Sequence, residues 1–181
     1  MATKNNLDIL GIGIASALTA LGGGVLRDTI LSKAPFAFTS TYPAITLICT
    51  LLFAYIFKLY KKDSLEQKWL FVISDTIGLV AFSITGALLA IHADYNFFGT
   101  IILSFITAVG GGLIRDVMIN QVPAVLISDF YGSIAVIVAI LLATLEELNA
   151  LNELSIITVA IFSILLRLLA FKKGWHLPKL Q

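Results

Sequence analysis

Six long apolar stretches, separated by short polar segments, limit the folds that this sequence can adopt. They cover residues 9–31, 42–60, 69–91, 97–119, 130–145 and 155–171. Most approach the ~20 residues that an α-helix needs to cross a hydrocarbon layer ~30 Å thick, although the last two are shorter. Of the 181 residues, 59% are hydrophobic and only 13% are charged, which is more apolar side chain than a small globule can bury. The sequence therefore predicts an all-α integral membrane protein.

The lysines predict how the chain is oriented in the membrane. They cluster around the loop between the second and third stretches and after the last stretch, namely Lys58, Lys61, Lys62, Lys68, Lys172, Lys173 and Lys179. The loop that carries Glu146, Glu147 and Glu153 has no basic residue. Because basic loops favour the cytoplasmic side, we predict a multi-pass protein of the cell membrane with Lys4 and the C-terminus in the cytoplasm.

An internal repeat is the most informative motif. Gly-Gly-Gly-x-x-Arg-Asp occurs at residues 22–28 and again at 110–116, an offset of 110 − 22 = 88. Further pairs at this offset are Gly11 and Gly99, Ser16 and Ser104, Thr19 and Thr107, and Pro35 and Pro123. In the predicted orientation the two copies cross the membrane in opposite directions, which makes them inverted repeats. The single transmembrane domain, residues 1–181, then divides into an incomplete first repeat (1–62), a second repeat (68–146) and a final helix (154–173).

The first repeat lacks a counterpart of the apolar stretch 69–91, because at the offset of 88 Met1 falls opposite Leu89. We therefore expect inverted three-helix repeats plus a final helix, with the first helix of the first repeat absent and six helices present. The natural gene is expected to encode one more spanning helix upstream, ~20 residues long. A six-helix variant of the fold is the alternative.

The glycine triplets are predicted to kink or break their helices. Each glycine destabilises a helix by about 1 kcal/mol relative to alanine, and non-helical backbone at membrane depth lines cavities. The glycines predicted to kink their helices and to line a cavity are Gly22, Gly23, Gly24, Gly110, Gly111 and Gly112. Close helix packing is the alternative interpretation, since small residues let membrane helices approach each other, and it can coexist with a kink.

The Arg-Asp pairs are predicted to lie away from lipid. A charge inside the bilayer costs ~2.5–3.5 kcal/mol on insertion scales, so these side chains must face protein or water. Because neighbouring helix residues point about 100° apart, we expect pairing between the repeats, Arg27 with Asp116 and Arg115 with Asp28. The alternative is that all four side chains lie near helix ends and extend to the interface.

The remaining polar groups of the apolar stretches are hydroxyls and isolated charges. Ser16 and Thr19 share one helical face with Gly23. Together with Ser104 and Thr107 they are predicted to line the same cavity as the glycines. Most other Ser and Thr hydroxyls are expected to donate to carbonyls of their own helix.

Three isolated charges complete the polar set. Asp75 lies six residues after Trp69, and it either lies at the inner interface or belongs to a cation path. Asp129 and Arg167 lie near the ends of their stretches and are predicted to be interfacial.

Several function classes lack support in the sequence. A net charge of +1 offers no basic field for nucleic acid, and His92 and His176 have no Cys or Glu at the spacing of metal ligands. No phosphate-binding loop, dinucleotide-binding motif or activated nucleophile is present. We therefore predict neither an enzyme nor a cofactor or metal site.

The doubled motif, the prolines seven residues after each Asp, and Asp75-x-x-Gly78-Leu79 resemble the prokaryotic trimeric intracellular cation (TRIC) channel family. That family also carries an older label as a glycine-transporter-like or uncharacterised membrane domain family. The resemblance implies two inverted three-helix repeats plus a final helix, and a homotrimer with a pore in each protomer. It implies passage of monovalent cations, mainly potassium with sodium as a second candidate, between the kinked helices 9–31 and 97–119.

Three functions are compatible with these patterns. A cation channel in contact with membrane lipids is favoured, because cation passage needs a wet path lined by carbonyls and hydroxyls. The resemblance implies that this channel is selective for potassium, and the Arg-Asp pairs are then expected to act as charged clamps or gates. A secondary transporter for a small zwitterion such as glycine suits inverted repeats and broken helices equally well. A non-conducting scaffold would hold the Arg-Asp pairs in dry interfaces.

Overall fold

A computed structural model describes residues 7–57, 69–127 and 130–175, all of whose regular elements are helices. The helices are α1 (Ile9–Ile30), α2 (Phe36–Thr39), α3 (Tyr42–Ile56), α4 (Trp69–Ile91), α5 (Phe97–Met118), α6 (Ala124–Ile127), α7 (Tyr131–Glu147) and α8 (Glu153–Lys173). The six long helices match the six apolar stretches, and two helices of a single turn, α2 and α6, were not predicted. The predictions for Lys4, Asp129, His176, Lys179 and the lysines of 58–68 lie outside the described residues.

The repeat is visible in the local structure of α1 and α5. Asp8 caps α1 by accepting from the Gly11 N–H at 2.7 Å, and Asn96 caps α5 by accepting from the Gly99 N–H at 2.8 Å. Such caps satisfy amides that have no partner inside the helix. Both helices end before a residue with φ of 54°, Ser32 in one case and Asn120 in the other.

α5 lies at the centre of the bundle. It packs against α1 on one side and against α4 and α7 on the other, while α8 packs on α4 and α7. The apolar core is formed mainly where α4, α5 and α7 meet, by Leu79, Val80, Ala87, Val109, Ile134, Ala135, Val138, Leu142 and Val159. The second repeat therefore contains most of the buried core.

α1 and α5 run in opposite directions where they touch. Thr19 contacts Arg115, whereas Gly23, one turn further along α1, approaches Thr107, two turns earlier on α5. This antiparallel contact agrees with the predicted inversion of the two motif-bearing helices.

Apolar side chains cover the outer surface. Four helices, α1, α4, α5 and α8, are long and apolar enough to cross a membrane, and α3 is shorter at 15 residues. α3 has no buried residue, and its Ile45, Ile48, Leu52 and Phe53 are each more than half exposed. Because water would be a poor solvent for such a surface, this outer face is suited to lipid.

Candidate functional site

The two glycine triplets lie where α1 crosses α5. A Cβ on Gly22 would lie 3.0 Å from the Gly111 Cα, and a Cβ on Gly111 would lie 2.6 Å from the Leu18 carbonyl oxygen and 2.7 Å from that of Thr19. A Cβ on Gly23 would overlap the Thr107 carbonyl oxygen. Only glycine allows this backbone-to-backbone contact.

Both helices continue through their triplets as unbroken α-helix. The predicted break is therefore wrong, whereas close packing, which the prediction of a kink allowed beside it, is present at the triplets. The physical reason is that the contact between α1 and α5 supports the helical conformation that glycine alone would weaken.

The third glycine of each triplet has a different neighbour. A Cβ on Gly24 would meet only the Nη2 of Arg27, at 3.8 Å, and a Cβ on Gly112 only the Nη2 of Arg115, at 3.7 Å. These are ordinary van der Waals distances, so the third position does not require glycine for packing.

Each arginine pairs with the aspartate next to it in the sequence. The Arg27 Nη2 lies 2.7 Å from the Asp28 Oδ1, and the Arg115 Nη2 lies 2.7 Å from the Asp116 Oδ1. In both pairs the arginine Nε also donates to the same oxygen, at 2.8 Å. The predicted pairing between repeats is therefore wrong. The 100° between neighbouring Cβ directions does not separate the charged groups, because the arginine side chain is long enough to turn back.

The second carboxylate oxygen of each aspartate fixes the chain beyond the helix. Asp28 Oδ2 accepts from the Phe36 N–H at 2.9 Å, and Asp116 Oδ2 accepts from the Ala124 N–H at 2.8 Å. Each Arg-Asp pair thus joins the end of a long helix to the start of the short helix that follows, α2 or α6. Asp28 and Asp116 are both buried, so the ion pair also neutralises a carboxylate that has little access to water.

The two pairs differ in one cross-repeat contact. The Arg115 Nη1 donates to the Thr19 Oγ1 on α1 at 3.2 Å. The residue equivalent to Thr19 in the second repeat, Thr107, is covered by α4 instead, where a Cβ on Gly86 would lie 2.6 Å from its Oγ1. The Thr107 hydroxyl donates to the Leu103 carbonyl at 2.6 Å, and no hydrogen bond equivalent to that of Arg115 with Thr19 joins Arg27 to Thr107 among the described residues.

A cavity of about 750 Å³ lies beside Arg115, between α1, α4, α5, α7 and α8. Its polar lining comes from two hydroxyl-bearing residues of α1 and from four charged residues and a tyrosine, namely Ser16, Thr19, Asp75, Arg115, Asp116, Tyr131 and Arg167. It lies at the end of the bundle where α4 and α7 begin and where α5 and α8 end.

The cavity includes only part of the predicted site. Ser16, Thr19, Asp75, Gly112, Arg115 and Asp116 line it. The predicted residues that do not line it are Gly22, Gly23, Gly24, Arg27, Asp28, Ser104, Thr107, Gly110 and Gly111.

Ser104 and Thr107 lie under α4. Ser104 donates to the Ser83 carbonyl at 2.7 Å and Thr107 donates to the Leu103 carbonyl at 2.6 Å, and both are buried. Of the predicted hydroxyl pairs, only the first-repeat members face the cavity. The expected donation of hydroxyls to carbonyls of their own helix is confirmed at Thr76, Ser83 and Thr85.

The surroundings of two residues of the cavity wall were not predicted. Arg167, for which an interfacial position was predicted, is only 8% exposed, and its Cζ lies 5.2 Å from the centre of the Tyr131 ring. Tyr131 in turn donates to the Asp75 Oδ1 at 3.3 Å. The usable signal was an arginine isolated within an apolar helix, since such a charge must face protein or water.

Comparison with known proteins places this architecture among membrane proteins. The sequence matches the family described as Glycine transporter over residues 1–58 and 72–147. It is 28% identical over 178 residues to the UPF0126 inner membrane protein YadS of Escherichia coli K12, covering 98% of this chain and 84% of that protein.

Solved structures agree in fold over nearly the whole chain. One, from work on the structural basis for conductance through TRIC cation channels, is 32% identical with a TM-score of 0.88, covering 99% of this chain and 88% of the other. A prokaryotic TRIC channel crystallised in 0.5 M KCl is 27% identical with a TM-score of 0.83, covering 97% of this chain and 88% of the other. The two matches extend across the motif helices, the cavity and the final helix.

Proposed function

Because the chain belongs to the Glycine transporter family, whose solved relatives include TRIC cation channels, we propose that it is a monovalent cation channel selective for potassium. The protein is a multi-pass membrane protein. The proposal includes a homotrimer with one path in each protomer, and a C-terminus in the cytoplasm. In that orientation the cavity opens toward the cytoplasmic side.

The cavity is the observation that supports this function most. It brings Ser16 and Thr19 of α1 next to Arg115 and Asp116 of α5, in a bundle whose outer surface is apolar. Cations that leave water need oxygen ligands and compensating charge, and the residues of this wall carry hydroxyl and carboxylate groups. We infer that this cavity is the wide part of the path.

The arginine on the wall is compatible with cation passage because of its partner. Arg115 is held by Asp116 at 2.7 Å, so the pair presents no net charge to an ion. Its bond to Thr19 ties the α5 motif to α1, and a change in that bond would move the cavity wall. We propose that Arg115 and Asp116 act as a clamp or gate of the path by holding α1 against α5. We propose the same role for Arg27 and Asp28 at the opposite end of the path.

Single-channel recording tests the function directly. Purified protein in a planar bilayer under a potassium chloride gradient is expected to show discrete openings that reverse near the potassium equilibrium potential. Replacing potassium by sodium on one side then ranks the two ions by the shift of the reversal potential. Currents that reverse at the chloride equilibrium potential would contradict the proposal.

The transporter function makes a different prediction for the same protein. A secondary transporter of a small zwitterion would show saturable, ion-coupled glycine uptake into vesicles and no unitary current steps. Uptake of that kind from a preparation that is silent in bilayers would favour the transporter.

A further inference from the structure

Asp75, Tyr131 and Arg167 form a connected group on the cavity wall, drawn from three different helices. The Tyr131 hydroxyl of α7 donates to the Asp75 Oδ1 of α4 at 3.3 Å. The face of the same tyrosine ring lies against the Arg167 guanidinium of α8, whose Cζ is 5.2 Å from the ring centre. One aromatic side chain thus contacts both an acidic and a basic group.

The two carboxylates of the cavity wall differ in their partners. Asp116 is ion-paired with Arg115 at 2.7 Å and also accepts from the Ala124 N–H. Asp75 accepts its hydrogen bond from a neutral hydroxyl, and within the described ranges 7–57, 69–127 and 130–175 its carboxylate forms no ion pair. Asp75 is therefore the carboxylate whose charge is available to an ion in the cavity.

We propose that Asp75 is the carboxylate that attracts and selects the permeating cation, and that Tyr131 is a positioning residue that keeps Asp75 out of a direct ion pair with Arg167. This inference rests on the proposed channel function. A tyrosine can hold both groups at once because its hydroxyl donates to a carboxylate while its ring face binds a cation. Without that ring, the two opposite charges on the wall would attract each other.

Asp75→Asn tests the first half of the proposal, with Asp94→Asn as the matched control. Both replacements remove one carboxylate charge near an end of α4, but Asp94 is exposed in the loop after that helix. The K⁺/Cl⁻ permeability ratio of D75N, measured from the reversal potential in a potassium chloride gradient, is expected to fall about tenfold. D94N is expected to keep the wild-type ratio.

Tyr131→Leu tests the second half. Removing the ring is expected to lower the permeability ratio as far as D75N does, because Arg167 then pairs with Asp75. Arg167→Gln introduced into the Tyr131→Leu protein is expected to restore the ratio, while Arg167→Lys is expected not to, since lysine keeps the charge. Tyr131→Phe removes the hydroxyl alone and is expected to give an intermediate ratio; it also serves if the leucine variant does not assemble.

The possible outcomes separate this inference from the proposed function. A conducting D75N protein with the wild-type ratio would overturn the role of Asp75. Arg167→Gln raises the ratio to some extent in any background, because it removes a positive charge from the cavity wall. A rise no larger in the Tyr131→Leu protein than in the wild type would therefore overturn the positioning role of Tyr131. A wild-type protein without cation current would overturn the channel function and this inference together.

Discussion

Replacing Gly111 with alanine is expected to cause the largest loss of stability of any single methyl addition to α5. The new Cβ would lie 2.6 Å from the Leu18 carbonyl oxygen and 2.7 Å from the Thr19 carbonyl oxygen, and neither backbone group can move without shifting α1. Overpacking of this kind costs about 3 kcal/mol or more when the neighbour is rigid. The melting temperature of purified protein in detergent should fall by roughly 6 to 12 °C.

Gly112→Ala is the matched control, one residue further along the same helix. Its Cβ would meet only the flexible end of Arg115, at 3.7 Å, while alanine favours the helix by about 1 kcal/mol over glycine. The melting temperature of G112A is therefore expected to equal or exceed that of the wild type. Equal effects of G111A and G112A would mean that backbone contact at the crossing does not explain the triplets.

Asp116→Asn is expected to cause the second large loss, by leaving Arg115 without its counter-charge. Breaking one side of a buried ion pair costs about 3–5 kcal/mol. The Arg115 side chain is 21% exposed on the cavity wall, which favours the lower end of that range. Because an asparagine can still accept from the Ala124 N–H, the loss reports mainly on the ion pair. Thermal unfolding of the purified variant provides the measurement.

The double variant Arg115→Gln/Asp116→Asn separates the ion pair from general damage. It is expected to be more stable than D116N alone, because it removes the uncompensated charge as well. The equivalent Asp28→Asn should cost at least as much as D116N, since the Arg27 side chain is only 11% exposed. A double variant less stable than D116N would show that Arg115 has a favourable role independent of Asp116.

The sequence alone predicted the architecture well because the information is repeated and periodic. The lengths of the apolar stretches predicted the six long helices, and the offset of 88 residues identified α5 as the counterpart of α1. The antiparallel contact of α1 with α5 agrees with the inversion that the lysine positions predicted. Caps at Asp8 and Asn96 and left-handed residues at Ser32 and Asn120 repeat at the same offset.

The side-chain geometry of the site could not be predicted in the same way. The angle between Cβ directions keeps adjacent residues of a helix from pairing only when their side chains are short. The arginine side chain is long enough to reach the aspartate next to it in the sequence. The different environments of Thr19 and Thr107 depend on α4, which covers one member of a pair that is identical in sequence. The contact of Arg167 with Tyr131 was not predicted, because distance from a helix end does not reveal a neighbour on another helix.

Cysteine modification of the cavity wall tests most directly whether ions pass through it. Ser16→Cys and Ser104→Cys occupy equivalent positions in the two repeats, but Ser16 lines the cavity whereas Ser104 is buried under α4. Both variants would be made in a Cys49→Ser background, because the native cysteine is exposed. A positively charged, water-soluble thiol reagent is expected to reduce the single-channel current of S16C irreversibly and to leave S104C unchanged. Full conductance of S16C after complete labelling would contradict a path through this cavity.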